Sequence, residues 1–340
     1  MKNHLPTLDG LRGVAALAVV GSHFENLSGI NLHLQAAGAA VDFFFILSGF
    51  VIAQAYEQRL ADGLSWRAYM GLRLTRLYPA ILGGAVVGLA MLAWSGEALD
   101  VGLTAQFLLL PVLTGPAVHG GELFPLNGPQ WSLFWELAVN GLHALVSRWL
   151  TIPVLVAIVT LSAGALIVTG LNYSGLDAGW SRTNLWGGPP RVMFGFFMGV
   201  LIFRLQARGW SPPPLPYPLI ALTLVVCLFR WFPQWGGFAA RDIIKVVVVL
   251  PALVAFAARA RISGPWLGSA RYLGVISYPL YAIHVPLLRG FEVLLGRLFD
   301  TPPPSAWWLA LGATLALAAM FEQFYDAPAR AWLARRRQPK

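Results

Sequence analysis

The chain has 340 residues, of which 57% are hydrophobic and only 11% are charged. A soluble domain carries about 25% charged residues, so this chain has too little polar surface to face water on all sides. Its long apolar runs are not the alternating segments of a β-barrel and favour an all-α integral membrane protein. The net charge of +9 does not indicate nucleic-acid binding, because no soluble segment has a basic face with interleaved aromatic residues.

Ten apolar segments are candidate membrane spans. They cover residues 11–28, 39–56, 77–95, 130–147, 151–171, 191–203, 216–231, 242–258, 272–290 and 305–325. If the N-terminus starts in the cytoplasm, most of the 24 Lys and Arg residues lie on the cytoplasmic side, and the outside loop 96–129 has none. The sequence therefore predicts about ten transmembrane helices with both termini cytoplasmic.

No internal repeat or second domain is visible between these spans. We expect a single transmembrane domain over residues 5–335, with no cleaved signal peptide and no appended soluble domain. The shorter apolar segment 103–113 is predicted to be re-entrant or interfacial. Cys227 is the one cysteine, which excludes a disulfide or a multi-cysteine metal site within the chain, and no metal site is predicted.

The first span contains the segment LDGLRGVAALAVVGSHF, residues 8–24. Arg12 lies at its cytoplasmic entrance and His23 in its outer half, about 16 Å apart along a helix axis. Ionisable residues inside a span are costly and are therefore candidates for function. The alternatives are an inner-surface anchor for Arg12 and an interfacial helix-end position for His23.

The second and fourth spans enter from the outside. Ser48, in VDFFFILSGF, lies about 10–14 Å below the outer edge, and Glu136, in WSLFWE, about 6–9 Å below it. Glu136 could pair with an arginine or orient a histidine, whereas Ser48 with Gly49 could serve only close helix packing. Trp131 could be a residue of the interfacial aromatic belt.

The third and ninth spans start from the inside. Arg73 and Arg76, in RLTRLYP, are one helical turn apart and could clamp a phosphate, or could be cytoplasmic anchors. His284, in SYPLYAIH, lies about 18 Å deep, near the predicted height of His23. It follows Tyr278, and its alternative role is a structural histidine bonded to the backbone.

These depths predict two layers of polar side chains. One layer, at similar heights on four helices, contains His23, Ser48, Glu136 and His284. The other, near the inner edge, contains Arg12, Arg73 and Arg76. Two such layers indicate a passage through the protein with two ends.

In this order, the segments LDGLRGVAALAVVGSHF, VDFFFILSGF, RLTRLYP, WSLFWE and SYPLYAIH resemble the motifs of the acyltransferase 3 family of polytopic membrane acyltransferases. The resemblance covers essentially the whole chain. A closing segment, FYDAPARAW, resembles the family's Glu-x-Pro element but has Asp326 where the family usually has Glu. Because that carboxylate has a shorter reach, we assign it a structural role.

The resemblance implies a bacterial cytoplasmic-membrane enzyme. Such enzymes move an acyl group, acetyl by default, from cytoplasmic acyl-CoA to a hydroxyl of an extracytoplasmic carbohydrate or glycolipid. It also implies that His23 is catalytic and that the donor is bound by Arg12, Arg73 and Arg76. Acetyl-CoA is then the donor substrate, and no bound cofactor is expected. The spacing of about 16 Å between Arg12 and His23 is comparable to the extended pantetheine arm of coenzyme A.

Within this hypothesis, His23 is the general base that deprotonates the acceptor hydroxyl, since histidine titrates near neutral pH. Glu136 or His284 would orient it or the acceptor. The predicted acceptor-binding residues are Ser48, Trp131 and Tyr278. Direct transfer and an acyl-histidine intermediate both stay open, as do the acceptor, the acyl chain length and the oligomeric state. The alternative function is a proton-coupled transporter or exporter of a small molecule or lipid-linked glycan.

Overall fold

The structure, a computed structural model, describes residues 5–34, 37–97, 99–115, 120–229 and 237–337. Within these ranges the regular elements are helices, and one isolated β-bridge joins Glu122 to Ser181. Short π-helical turns, Lys245–Val249 and Glu322–Asp326, join α8 to α9 and α11 to α12. The α-helices are α1 Pro6–Ser28, α2 Ala39–Ala61, α3 Trp66–Ser95, α4 Gln130–Val146, α5 Ile152–Tyr173, α6 Gly188–Ala207, α7 Tyr217–Leu228, α8 Gly237–Ile244, α9 Leu250–Ala257, α10 Pro265–Leu298, α11 Pro304–Phe321 and α12 Ala327–Arg336.

Each predicted span coincides with helical structure wherever the chain is described. By length and composition, five helical segments of the described ranges can cross a membrane: Ala39–Ala61, Trp66–Ser95, Ile152–Tyr173, Leu185–Ala207 and Pro304–Arg336. The prediction of an all-helical, multi-pass membrane protein is therefore confirmed. Ten spans, cytoplasmic termini and a single domain over residues 5–335 stay predictions, and the terminal residues 1–4 and 338–340 lie outside the described ranges.

Several helix boundaries follow from the local sequence. The Ser65 side chain accepts a hydrogen bond from the Ala68 amide at the start of α3, and Thr151 caps α5 in the same way. These N-caps satisfy amides that have no partner within the helix. The left-handed glycines Gly29 (φ 71°) and Gly96 (φ 83°) follow α1 and α3, where the turn requires a residue without a Cβ.

Glycine contacts bring two helix pairs around the site into close approach. A Cβ at Gly13 of α1 would overlap the Cβ of Leu273 on α10. A Cβ at Gly49 of α2 would overlap the Phe196 carbonyl oxygen on α6. Small residues allow this backbone proximity in membrane helices, and at Gly49 it agrees with the packing alternative.

The predicted re-entrant or interfacial segment forms a short 3₁₀-helix, Val101–Leu108, that precedes α4. Leu103 is buried while Leu108 is 70% exposed. The Tyr78 hydroxyl of α3 donates to the Phe107 carbonyl oxygen over 2.8 Å. The element therefore lies against α3 and, at eight residues, is too short to cross a bilayer.

Candidate active site

Two neighbouring cavities open between the helices that carry the sequence motifs. The arginine cavity has a volume of about 170 Å³, and its polar lining includes Arg12, Ser48, Arg73, Arg76, Glu136 and Tyr278. The histidine cavity has a volume of about 440 Å³, and its polar lining includes His23, Glu122, Trp131, Asp177, Arg191 and Arg289. Val41 and Tyr281 line both cavities and form the boundary between them.

Glu136 is the centre of a network in the arginine cavity. Its Oε1 accepts hydrogen bonds from Ser48 Oγ at 2.8 Å and from Arg73 Nη2 at 3.2 Å. Its backbone carbonyl accepts from Asn140 Nδ2 at 2.7 Å. The Nε of Arg73 is buried and has no hydrogen-bond partner in the part of the chain that the structure describes. Arg73 is thus held by Glu136 through one of its terminal nitrogens.

Arg12 and Arg76 differ in how they are held. Arg12 Nε donates to Ser277 Oγ at 2.9 Å, and its Nη2 lies 2.6 Å from the Gly274 carbonyl oxygen and 3.1 Å from an Asp9 carboxylate oxygen. The Arg76 side chain is exposed and forms no hydrogen bond or ion pair within the described ranges. The arginine cavity therefore carries a guanidinium group that has no ion-pair partner among the described residues.

Tyr278 also lines the arginine cavity, but its hydroxyl is already engaged. It donates to the Leu77 carbonyl oxygen of α3 over 2.6 Å. This bond joins α10 to α3 beside the arginines of α3. The geometry favours a structural role for this hydroxyl.

His23 and His284 form a direct pair across α1 and α10. His23 Nδ1 lies 3.2 Å from His284 Nε2, and the two ring centroids are 4.9 Å apart. His23 Nδ1 is also 2.9 Å from the Val19 carbonyl oxygen. On the other side of the pair, His284 Nδ1 lies 3.0 Å from the carbonyl oxygens of Leu280 and Tyr281.

These contacts assign the protons of the neutral pair. Backbone carbonyl oxygens only accept, so His284 Nδ1 carries a proton and its Nε2 presents a lone pair. His23 Nδ1 then faces two acceptors, the Val19 carbonyl oxygen and His284 Nε2, and must be the donor. It follows that His23 Nε2 bears the lone pair. That nitrogen has no hydrogen-bond partner among the described residues and belongs to a side chain that lines the histidine cavity.

Paired charges build the walls of the histidine cavity. The guanidinium of Arg191 donates from Nε and Nη2 to the two carboxylate oxygens of Asp42, each over 2.9 Å, and both side chains are almost fully buried. Arg289 Nη2 donates to Glu122 Oε1 over 2.7 Å. Burial raises the pKa of the Glu122 carboxyl, and the neighbouring Arg289 guanidinium opposes that shift. The Cζ atom of Arg191 lies over the Trp131 ring, 5.1 Å from the ring centroid.

A hydroxyl pair holds the boundary between the two cavities. Ser132 Oγ lies 2.7 Å from the Tyr281 hydroxyl and donates to the Pro129 carbonyl oxygen over 3.0 Å. The serine has one proton, so Tyr281 is the donor in the pair. The Tyr281 ring also makes an edge contact with Phe44, with centroids 5.5 Å apart. The boundary is therefore a packed and hydrogen-bonded aromatic side chain.

The single layer predicted from depth is divided between the two cavities. His23 and His284 do meet, but Ser48 and Glu136 lie with Arg73 in the arginine cavity. Of the two residues predicted to orient His23, only His284 contacts it.

The predicted acceptor-binding set is divided in the same way. Trp131 lines the histidine cavity, whereas Ser48 and Tyr278 line the arginine cavity. Asp326, left as structural, is buried with a carboxylate oxygen 2.9 Å from Arg330 Nε. These placements separate the acceptor candidates from one another by the Tyr281 boundary.

Several residues of the site were not among the sequence candidates. Arg191 and Arg289 carried a signal, since both are charged residues at or within predicted apolar spans. Tyr281 lies inside the quoted SYPLYAIH motif but is not distinguishable there from a packing aromatic. Asp177 lies in a loop between predicted spans. Carboxylates are common in such loops, so the sequence alone gives no signal for it.

Comparison with known proteins agrees with the motifs. A family model described as "Acyltransferase domain" (Acyl_transf_3) matches residues 5–322. "Protein 2 in picA locus" of Rhizobium radiobacter is 34% identical over 183 residues, which cover 49% of this chain and 94% of that protein. "Acyltransferase MdmB" of Streptomyces mycarofaciens is 25% identical over 372 aligned positions, covering 98% of this chain and 93% of that protein.

A third relative is longer than this chain. "Peptidoglycan O-acetyltransferase OatA" of Listeria monocytogenes is 23% identical over 381 aligned positions, which cover 97% of this chain and 56% of that protein. No solved structure matches the chain. With a family match over almost its full length, the chain belongs to the acyltransferase 3 family and is a membrane acyltransferase.

Proposed function

We propose that the protein transfers an acyl group, acetyl by default, from acyl-CoA to a hydroxyl of a carbohydrate or glycolipid. The donor binds from the arginine cavity, and the acceptor binds in the histidine cavity. The observation that carries the proposal is the His23–His284 pair, because it leaves the His23 Nε2 lone pair facing a cavity that can hold an acceptor. The relative named as a peptidoglycan O-acetyltransferase supports acetyl transfer to a glycan.

The arginine cavity suits the polyanionic end of coenzyme A. Arg76 has no ion-pair partner among the described residues, and Arg12 and Arg73 line the same cavity. Guanidinium groups bind phosphate oxygens through short, charge-assisted hydrogen bonds. The apolar side chains of Phe44, Val51 and Leu133 line the same cavity and could pack against the pantetheine arm.

The reaction then needs one base, and the thioester must pass the Tyr281 boundary between the two cavities. The thioester passes Tyr281 and reaches His23, whose Nε2 takes the proton from the acceptor hydroxyl. The hydroxyl oxygen attacks the thioester carbonyl carbon, the carbon–sulfur bond breaks, and the CoA thiolate takes the proton back from His23. The pairing with His284 keeps the Nδ1 proton of His23 in place, so that Nε2 is the basic nitrogen.

The relatives support a location in a bacterial cytoplasmic membrane. The curated relatives named above come from bacteria, and acyl-CoA is a cytoplasmic metabolite that must meet the arginine cavity. We propose that the arginine cavity opens toward the cytoplasm and the histidine cavity toward the outside. The bilayer is then part of the enzyme, since it separates donor from acceptor.

Release of free CoA tests this function. The purified protein is given acetyl-CoA with a panel of neutral, amino and acidic glycosides, and thiol release and the acetylated glycoside are measured. We expect turnover by the wild type and a loss of about 10²–10⁴-fold in His23→Ala, the usual contribution of a general base.

His33→Ala is the matched control, because His33 is exposed and outside both cavities. It is expected to keep wild-type turnover. If folded wild-type protein releases no thiol from acetyl-CoA or longer acyl-CoAs, the assignment of acyl-CoA as donor is rejected. The transporter is then the favoured function. Turnover that survives His23→Ala would reject the base.

A further inference from the structure

The loop between α5 and α6 contributes a wall of the histidine cavity. Asp177 and Trp180 of this loop line the cavity together with Trp131 at the start of α4. All three side chains lie on the acceptor side of the Tyr281 boundary.

The loop is fixed at several points close to its aspartate. The Asn184 side-chain oxygen accepts hydrogen bonds from the amides of Gly179 at 3.0 Å and Ser181 at 2.9 Å. The Ala178 carbonyl oxygen accepts from Arg191 Nη1 at 2.7 Å. That guanidinium is itself buried and held by α2. The carboxylate of the loop is therefore presented to the cavity from a pre-organised backbone.

Charge in the cavity is unevenly matched. Its two guanidinium groups are both paired, Arg191 with Asp42 and Arg289 with Glu122. The Asp177 carboxylate is exposed and forms no ion pair or side-chain hydrogen bond within the described part of the chain. It lines the same cavity as His23. The cavity thus presents one carboxylate that has no ion-pair partner among the described residues.

A free carboxylate and two indole rings suit a particular class of ligand. A carboxylate accepts hydrogen bonds from two hydroxyls or from an ammonium group. Indole faces pack against the C–H faces of a sugar ring and attract cations. A negatively charged sugar would instead meet the carboxylate with both arginines already occupied.

We infer that Asp177 is an acceptor-recognition residue, and that the histidine cavity selects a neutral or amino-substituted sugar over an acidic one. This inference rests on the proposed function for the chemistry at the sugar hydroxyl. It adds the charge class of the acceptor and the residue that sets it.

Binding measured without donor tests the inference. Wild-type protein in detergent, with no acyl-CoA, is titrated calorimetrically with methyl β-D-glucoside, methyl β-D-glucosaminide and methyl β-D-glucuronide. We expect the glucuronide to bind at least about tenfold more weakly than the other two. Asp177→Asn should bring the glucuronide close to the glucoside, and Asp177→Lys should place it ahead of the glucosaminide. Thermal unfolding of each variant in the same detergent establishes that it is folded.

Asp300→Lys is the charge-matched control, because Asp300 is exposed and outside the cavity lining. It should leave the wild-type ranking unchanged. Equal binding of the three glycosides, no binding by any, or a ranking that Asp177→Lys does not alter would overturn the inference. If His23-dependent CoA release persists in that case, the proposed acyl transfer stands although the role inferred for Asp177 is rejected. The expected ranking without any acyl transfer would reject the proposed function and leave the sugar site.

Discussion

Arginine has opposite roles in the two cavities. In the arginine cavity, Arg76 is exposed and has no local counter-ion within the described ranges. In the histidine cavity, Arg191 is buried, bidentate on Asp42 and bonded to the Ala178 carbonyl oxygen. A guanidinium with an unmet charge is suited to bind a substrate, whereas one with every donor engaged is suited to hold helices and loops in place.

The difference also explains why depth in the membrane is a poor guide to role. Arg191 and Arg289 line the histidine cavity, and each guanidinium is paired with a carboxylate. The groups there without an ion-pair partner among the described residues include His23 and the Asp177 carboxylate. Substitutions on the two sides should consequently fail in different ways.

The largest effect is expected on stability. Arg191→Ala leaves the Asp42 carboxylate buried without its partner and should lower the free energy of unfolding by about 3–5 kcal/mol. The control is Arg208→Ala, at an exposed position after the same helix, which should lower it little. Thermal and denaturant unfolding in one detergent measure both. The double variant Asp42→Ala/Arg191→Ala should be more stable than either single variant, and a double variant with additive losses would contradict the pairing argument.

Donor affinity should show the next largest effect. Loss of the Arg76 guanidinium removes charge-assisted hydrogen bonds of about 1.5–3 kcal/mol, so Arg76→Ala should weaken acetyl-CoA binding by roughly ten- to a hundredfold. The kcat and the stability should change little. Arg67→Ala, an exposed arginine on the same helix outside the cavity, is the control. An unchanged Kd for acetyl-CoA in Arg76→Ala would remove this arginine from the donor site.

In the proposed mechanism, His284 acts through His23 and is a positioning residue. His284→Leu removes one of the two acceptors of His23 Nδ1–H and leaves the Val19 carbonyl oxygen. Loss of one hydrogen bond of about 1.4 kcal/mol corresponds to a roughly tenfold lower kcat. His284→Gln, which can again place an acceptor near that nitrogen, should recover part of the rate. The kcat–pH profile should shift in the Leu variant and return toward wild type in the Gln variant. Equal rates and equal profiles in the two variants would reduce His284 to packing.

The smallest effect concerns the boundary. Tyr281→Phe and Ser132→Ala each remove the hydrogen bond between the two hydroxyls. Loss of about 1 kcal/mol should make displacement of the residue 281 side chain from the boundary roughly fivefold more favourable. Each variant should hydrolyse acetyl-CoA a few-fold faster in the absence of an acceptor, because water from the histidine cavity then reaches the thioester. The double variant should be no leakier than the single ones. Hydrolysis at the wild-type rate in both would remove this pair as the barrier.

Much of the fold could be predicted because each helix arises from an apolar run that is visible in the local sequence. The apolar runs coincide with the helices, and the motif residues Arg12, Arg73 and Arg76 do share one cavity. The proximity of His23 and His284 agreed with the similar depths predicted for them. Depth along a helix depends only on residue count, so these features could be predicted from the chain alone.

The division of the remaining residues was not predictable in this way. Ser48 and Glu136 were placed at the height of the histidines, yet they bond to each other and to Arg73. A residue count says nothing about how one helix is rotated against its neighbours. That rotation depends on contacts distant in sequence, such as Gly49 against Phe196.

Taken by itself, the sequence determined that this is a helical membrane acyltransferase, and it predicted two layers of arginines and histidines within it. Composition and motif order are properties of the chain, and they suffice for that statement. Only the tertiary structure shows that Tyr281 lies between the two cavities, that His284 contacts His23, and that Asp177 lines the histidine cavity without an ion-pair partner among the described residues. Each of these depends on side chains from different helices or loops meeting in space, which packing alone establishes.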